Sequence, residues 1–143
     1  MPYKYREDLS IADAAIEVNT NSLEELFIDS AKALTNTMID NLNSIECKKK
    51  SKIKISAPNI EFLLFEFLEK LIILKDSDTL LFNKYKLKII QKDNETGLSG
   101  EIYGEKINYK KHELCADVKA ITLHKYKVEE INNEWKASFI LDI

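Results

Sequence analysis

The apolar positions of the chain change period several times, and each change marks an element. From Ile11 to Val18 they alternate, with Ala12, Ala14, Ile16 and Val18 on one face and Ile11, Asp13, Ala15 and Glu17 on the other. That is the pattern of a half-buried strand. Asn19-Thr20-Asn21 then breaks it with turn residues. Ser22-Leu23-Glu24-Glu25 is a capping box: the Ser22 hydroxyl can accept the Glu25 N–H while the Glu25 carboxylate reaches back. Behind it Leu23, Leu26, Phe27, Ala31, Leu34, Met38 and Leu42 recur near one stripe. The spacing predicts a helix running to about Leu42 and stopping at Asn43-Ser44.

Cys47 to Ile55 returns to alternation, with Ile53 and Ile55 set against Lys48, Lys49, Lys50, Lys52 and Lys54. These lysines admit two readings: a basic patch for RNA, or an edge strand kept from pairing with other sheets. A second helix opens at Ala57-Pro58, with Pro58 suited to its first turn. Ile60, Leu63, Leu64, Phe67, Leu68, Leu71 and Ile72 form its stripe, and Phe62, Phe65, Ile73 and Leu74 widen it. A helix this apolar is expected to be covered on more than one side and to form the centre of the core.

From Thr79 the period is two. Lys84 to Ile89 alternates, Asn94-Glu95-Thr96-Gly97 is a turn, and Leu98 to Gly104 is a strand whose Gly100 and Gly104 mark bulges or close backbone approaches. Ile107 to Leu114 is a polar connection, with Cys115 at the start of the next strand. Val118–His124 and Tyr126–Ile131 follow, then a turn at Asn132-Asn133 and a last strand from Trp135 to Ile143. The order strand, helix, strand, helix, then hairpins predicts one α+β domain over residues 1–143, two helices packed on mainly antiparallel sheet.

Charge narrows the function. The 143 residues carry 21 Lys and Arg against 24 Asp and Glu, a net charge of -3. All but one of the basic residues are lysines, Arg6 being the exception. A mildly acidic chain is a poor candidate for a general nucleic-acid coat, which needs a positive field, and one so poor in arginine is unsuited to precise phosphate or guanine readout; both favour the edge-strand reading of Lys48–Lys54. Ile60–Leu74 is interrupted by Glu61, Glu66, Glu69 and Lys70 and does not read as a membrane span. No leader-like apolar run opens the sequence, and Cys47 and Cys115 form no CxxC pair, so a reducing, cytoplasmic setting is expected.

No phosphate-binding loop, nucleophile elbow or HExxH stands in the sequence, and His112 and His124 lack zinc-ligand spacing. A self-contained enzyme is therefore disfavoured; a hydrolase built on Asp13, Asp142 and His124 is the weaker alternative. The best local signal is carboxylate at strand ends. Asp13 faces away from the apolar side of its strand, Asp142 does the same on the last, and the Ile143 α-carboxylate follows it. If those two strands are neighbours, three acidic groups converge and require protons or a cation. Hard oxygens favour calcium or magnesium.

The chain also resembles the archease family. The resemblance rests on Ala12-Asp13 with Ile16, the Ser22–Phe27 helix start, Met38-Ile39-Asp40, and Phe62-Leu63-Leu64 through Phe67-Leu68-Glu69-Lys70-Leu71. It continues through Gly104-Glu105, His112-Glu113 and Val118-Lys119-Ala120-Ile121-Thr122-Leu123-His124, and ends in Trp135-Lys136-Ala137 and Ile140-Leu141-Asp142-Ile143. It implies an accessory protein, not an enzyme: an activator of the RtcB-type tRNA-splicing ligase, a manganese- and GTP-dependent RNA ligase. The family speeds guanylylation of that ligase and lets it turn over repeatedly, acting as a chaperone-like cofactor that meets RNA only indirectly. The resemblance further implies a divalent cation at Asp13, Asp142 and Ile143, calcium first, with magnesium or manganese as alternatives. It also marks Lys119 and His112 as functional toward the partner. A metal-stabilised chaperone or interaction module without a ligase role is the alternative. One departure stands out: Leu9-Ser10-Ile11 precede Ala12-Asp13 where the family carries an acid and a His-Thr pair, and Glu7 and Asp8 compensate only if the register shifts.

Overall fold

The structure is a computed structural model, and it describes residues 3–5 and 13–143. Seven strands and two long helices form there: β1 (Tyr3–Tyr5), β2 (Ala14–Thr20), α1 (Leu23–Met38), β3 (Lys49–Ala57), α2 (Ile60–Asp78), β4 (Leu80–Lys92), β5 (Glu95–Lys106), β6 (Ala120–Ile131) and β7 (Glu134–Asp142). The expectations for Ile11, Ala12, the Leu9-Ser10-Ile11 departure and Glu7-Asp8 lie outside the described residues.

The strands make two antiparallel sheets, ordered β1-β2-β7-β6 and β3-β5-β4. The helices lie between them. α1 packs on β2 and β7 of the first sheet and on β4 of the second, while α2 packs on β6 of the first and on β3, β4 and β5 of the second. This is why α2 is apolar nearly all round: Leu63, Leu64, Phe67 and Leu68 are fully buried between two sheets. The Phe27 and Phe67 rings meet at 5.8 Å, joining the helices at the centre of the core.

α1 starts where the capping box predicts, with the Ser22 hydroxyl accepting the Glu25 N–H at 3.2 Å. It ends at Met38 rather than Leu42. Ile39 turns to extended backbone, is completely buried and bridges to Leu114, so a tertiary contact outcompetes the helical period. Leu42–Ser44 forms a separate 3-10 turn. The cap of α2 is Asn59, whose side chain accepts the Phe62 N–H at 2.9 Å. Pro58 therefore stands outside the helix instead of in its first turn; an Asn side-chain oxygen satisfies a donor that proline cannot. α2 runs on to Asp78 and closes on Thr79 in the left-handed region, φ 53°.

Asp93-Asn94 is the β4–β5 turn, one step earlier than expected, because Glu95 and Thr96 already pair with Lys92 and Gln91. Asn132 and Asn133, both at positive φ, form the two-residue turn between β6 and β7. The two strands expected over 118–131 are one, β6, interrupted by a register shift between Thr122 and Lys127 where Lys125 adopts φ 56°. Strand β1 was not signalled in the sequence. Gly104 is a close approach as expected: a Cβ there would lie 1.8 Å from the Leu81 carbonyl oxygen. Among the described residues no helix is long and apolar enough to cross a membrane.

Candidate metal and partner edge

Strands β2 and β7 are neighbours, which was the condition for the acidic groups to meet. Ile16 and Val18 stand opposite Phe139 and Ala137 on the face turned to the helices; Ala15 and Glu17 stand opposite Ile140 and Ser138 on the other. The pairing ends at Ala14–Leu141; Asp13 is the residue just before Ala14 and Asp142 the residue just after Leu141, so both lie at the same end of the β2–β7 pair. Asp13 is half-buried, Asp142 exposed, and Ile143 38% exposed at the chain end.

Lys119 enters from the adjoining strand. Its backbone N–H donates to the Asp142 carbonyl at 2.7 Å, one step before the Ala120–Asp142 pair of β6 and β7, and its side chain is exposed. Asp142 at the end of β7, Asp13 just before β2 and Lys119 just before β6 thus lie at one end of the sheet. His124 is exposed in the irregular stretch of β6, away from the paired ladder.

His112 is elsewhere and buried, 2% exposed. Its Nδ1 accepts the Asn108 N–H at 2.9 Å, so the ring proton sits on Nε2, which donates to Glu105 Oε2 at 3.0 Å. The same oxygen accepts the Glu46 N–H at 2.6 Å and the Lys111 ammonium at 2.7 Å. Burial alone pushes the Glu105 carboxyl up, but these donors outweigh it and hold the group down to about 2. The network pins the connection 107–119 over the end of β5.

Further along, the Glu113 carbonyl accepts the Asp40 N–H at 2.9 Å and the Met38 carbonyl accepts the Cys115 N–H at 2.8 Å. Cys115 lies in this connection, before β6, and is exposed and free, as is Cys47. Lys75 of α2 completes the anchoring: its buried ammonium donates to Asp117 Oδ1 and to the Val118 carbonyl, both at 2.7 Å. Burial disfavours that charge, yet Asp117 and Asp76 outweigh the penalty and raise its pKa. Glu105 and Lys75 therefore set where Val118 and Lys119 enter the sheet. Sequence periodicity could not single out Lys75, because a lysine inside an apolar stripe reads as a solvated position; its functional partner lies 42 residues away.

The donor chemistry of the Asp13–Asp142 edge, two side-chain carboxylates, is of the hard-oxygen kind that calcium or magnesium takes. Among the described residues no three His, Cys, Asp or Glu side chains converge as a metal cage. Calcium uses about six to eight oxygens, so such a site leaves most positions to water or to a partner.

The fold and site define a class: a small two-sheet α+β domain with carboxylates at one open sheet end. Residues 3–143 match the model of the Archease protein family (MTH1598/TM1083). The chain belongs to that family. It is 40% identical over 133 residues to Protein archease of Pyrococcus furiosus, covering 92% of this chain and 93% of that one. It is 37% identical over 132 residues to Protein archease of Sulfolobus acidocaldarius, with the same coverage. The solution structure of Methanobacterium thermoautotrophicum protein 1598 superposes with a TM-score of 0.85 over 99% of both chains at 30% identity. A Thermotoga maritima crystal structure, described as an archease and possible chaperone, shares the fold at a TM-score of 0.62 and 21% identity, over 94% of this chain and 93% of that one.

Proposed function

We propose that this protein is an accessory activator of an RtcB-type tRNA-splicing ligase, not itself an enzyme, working in the cytoplasm. The observation that carries the reading is the family match over residues 3–143, supported by Asp13 and Asp142 flanking the last residue pair of β2 and β7. Asp13, Asp142 and the Ile143 carboxylate hold a divalent cation, calcium in preference to magnesium or manganese. The cation supplies a positive centre with open positions that a partner's oxygen ligands complete. The protein's own residues do the rest. The β2–β7 pairing presents the carboxylates at a rigid sheet end, and Lys119 sets a mobile positive charge beside them. His112, through Glu105, holds the connection that delivers Lys119. Docking this edge against the ligase favours the ligase's guanylylation-competent state, by differential affinity for it over the resting state.

The test is guanylylation and multiple-turnover ligation by the ligase of the same source, with and without this protein. Acceleration that is lost in Asp142→Asn, with an unchanged melting temperature, is expected; a ligase equally fast in its presence and absence overturns the proposal. One observation favours a second reading, a chaperone or interaction module without a ligase role: Leu9-Ser10-Ile11 stand where the family carries its acid and His-Thr pair. An unaccelerated ligase together with cation-dependent binding to other proteins would select it.

A further inference from the structure

The outward face of the second sheet concentrates charge that the alternation of Lys48–Lys54 only half revealed. Lys50, Lys52 and Lys54 of β3 stand opposite Tyr103, Glu101 and Ser99 of β5. The same three residues stand opposite Lys84, Lys86 and Lys88 of β4. Six exposed lysines thus flank one central stripe, against a single carboxylate, in a chain whose net charge is -3. Glu101 is already paired with Lys50 at 3.1 Å. Among the described residues Lys52, Lys54, Lys84, Lys86 and Lys88 form no ion pair. The Tyr103 ring is half-buried in the stripe, with the Lys84 and Lys86 ammoniums 5.4 and 5.7 Å from its centroid.

We propose that this face is a binding track for single-stranded RNA, with the two lysine rows gripping the phosphate chain and Tyr103 between them receiving a base. Within a row the lysines repeat every second residue, about 6.8 Å, and the rows lie about 10 Å apart. Evenly repeated point charges around a half-buried ring suit a regular polyanion with stackable bases. Lysine, lacking the guanidinium fork, makes the grip independent of sequence. A lipid surface fits less well, because Ile90 is the one exposed large apolar side chain on this face. The track continues into an open groove of about 560 Å³ walled by Lys48, Lys106 and Lys110, by the Glu105 carboxylate, and by Tyr109, which is 77% exposed. That the strand is RNA rather than DNA rests on the ligase reading above; the charged face does not.

The probe is a fluorescent oligouridylate of about twelve nucleotides. Binding by the intact protein is expected, with a log–log salt slope of about −4 if all six lysines engage. Lys52→Ala with Lys86→Ala should reduce the slope by about 1.4 and weaken binding roughly 25-fold at 0.1 M salt. Glu101→Gln should tighten binding, a gain that misfolding cannot imitate. Ligase guanylylation, which needs no RNA, should be unchanged in the lysine variant, so failure of the ligase reading and failure of this one give different results. No oligouridylate binding at low salt overturns the proposal. So does binding insensitive to the double variant, or equal retention of polyglutamate or anionic vesicles.

Discussion

Replacing Glu105 by glutamine tests the network that holds the connection 107–119. All three short donors, from Glu46, Lys111 and His112, converge on Oε2. A glutamine that keeps its oxygen there retains the three hydrogen bonds but loses the charge that makes them strong, and it turns its NH2 toward Lys48, whose ammonium lies 3.9 Å from Oε1. It cannot relax by turning the imidazole proton to Nδ1, because the Asn108 N–H already occupies that nitrogen. The carboxyl is depressed from 4.5 to about 2. That depression corresponds to stabilisation on the order of 2–3 kcal/mol at neutral pH. For a chain of this length such a loss lowers Tm by roughly 7–10 °C. The sign with pH is fixed. A carboxyl whose folded pKa lies below its unfolded value stabilises fully above about pH 4.5, and the stabilisation is lost as pH falls toward 2. Urea unfolding of both proteins across this range should therefore show a gap that is constant near neutrality and closes in acid. A gap that is absent at pH 7, or that persists undiminished at pH 2, would refute the assignment of the charge to Glu105.

Other outcomes follow from single contacts. Gly104→Ala forces a Cβ to within 1.8 Å of the Leu81 carbonyl, backbone against backbone, and should cost at least about 3 kcal/mol in chemical denaturation. Asn59→Ala removes the cap of α2 and should cost about 1 kcal/mol, read as a shift in the urea midpoint at constant slope. Extending the chain past Ile143 removes the terminal carboxylate, and calorimetry should then show weaker calcium binding; an unchanged Kd would mean the chain end is not a ligand. Asp13→Ala should weaken the same isotherm, while Asp117→Ala, on the α2 side of the connection, should leave it unaltered.

Much of the architecture was written in local pattern. The capping box at Ser22, the two-sided apolar surface of α2, the Asn132-Asn133 turn and the alternating C-terminal strands all depend on interactions within a few residues, and these the periodicity reports directly. Where reading and structure part, a distant partner intervened. Ile39 leaves the helical stripe because Leu114 offers it a bridge in the core. Lys75 sits buried because Asp117 and the Val118 carbonyl meet its charge. The β3 lysines do lie on an edge strand, as their alternation suggested, but nothing local says that β4 contributes a second row across β5.

The sequence by itself determined the element types, the α+β class, the acidic balance and the identity of the carboxylates at residues 13 and 142, since side-chain chemistry and period are local properties. Only the tertiary structure decided that the two strands are neighbours, that both helices lie between two sheets, and that lysines some 35 residues apart share one face. Strand order and register are set by which apolar faces can be buried together, and that is a property of the whole packed chain.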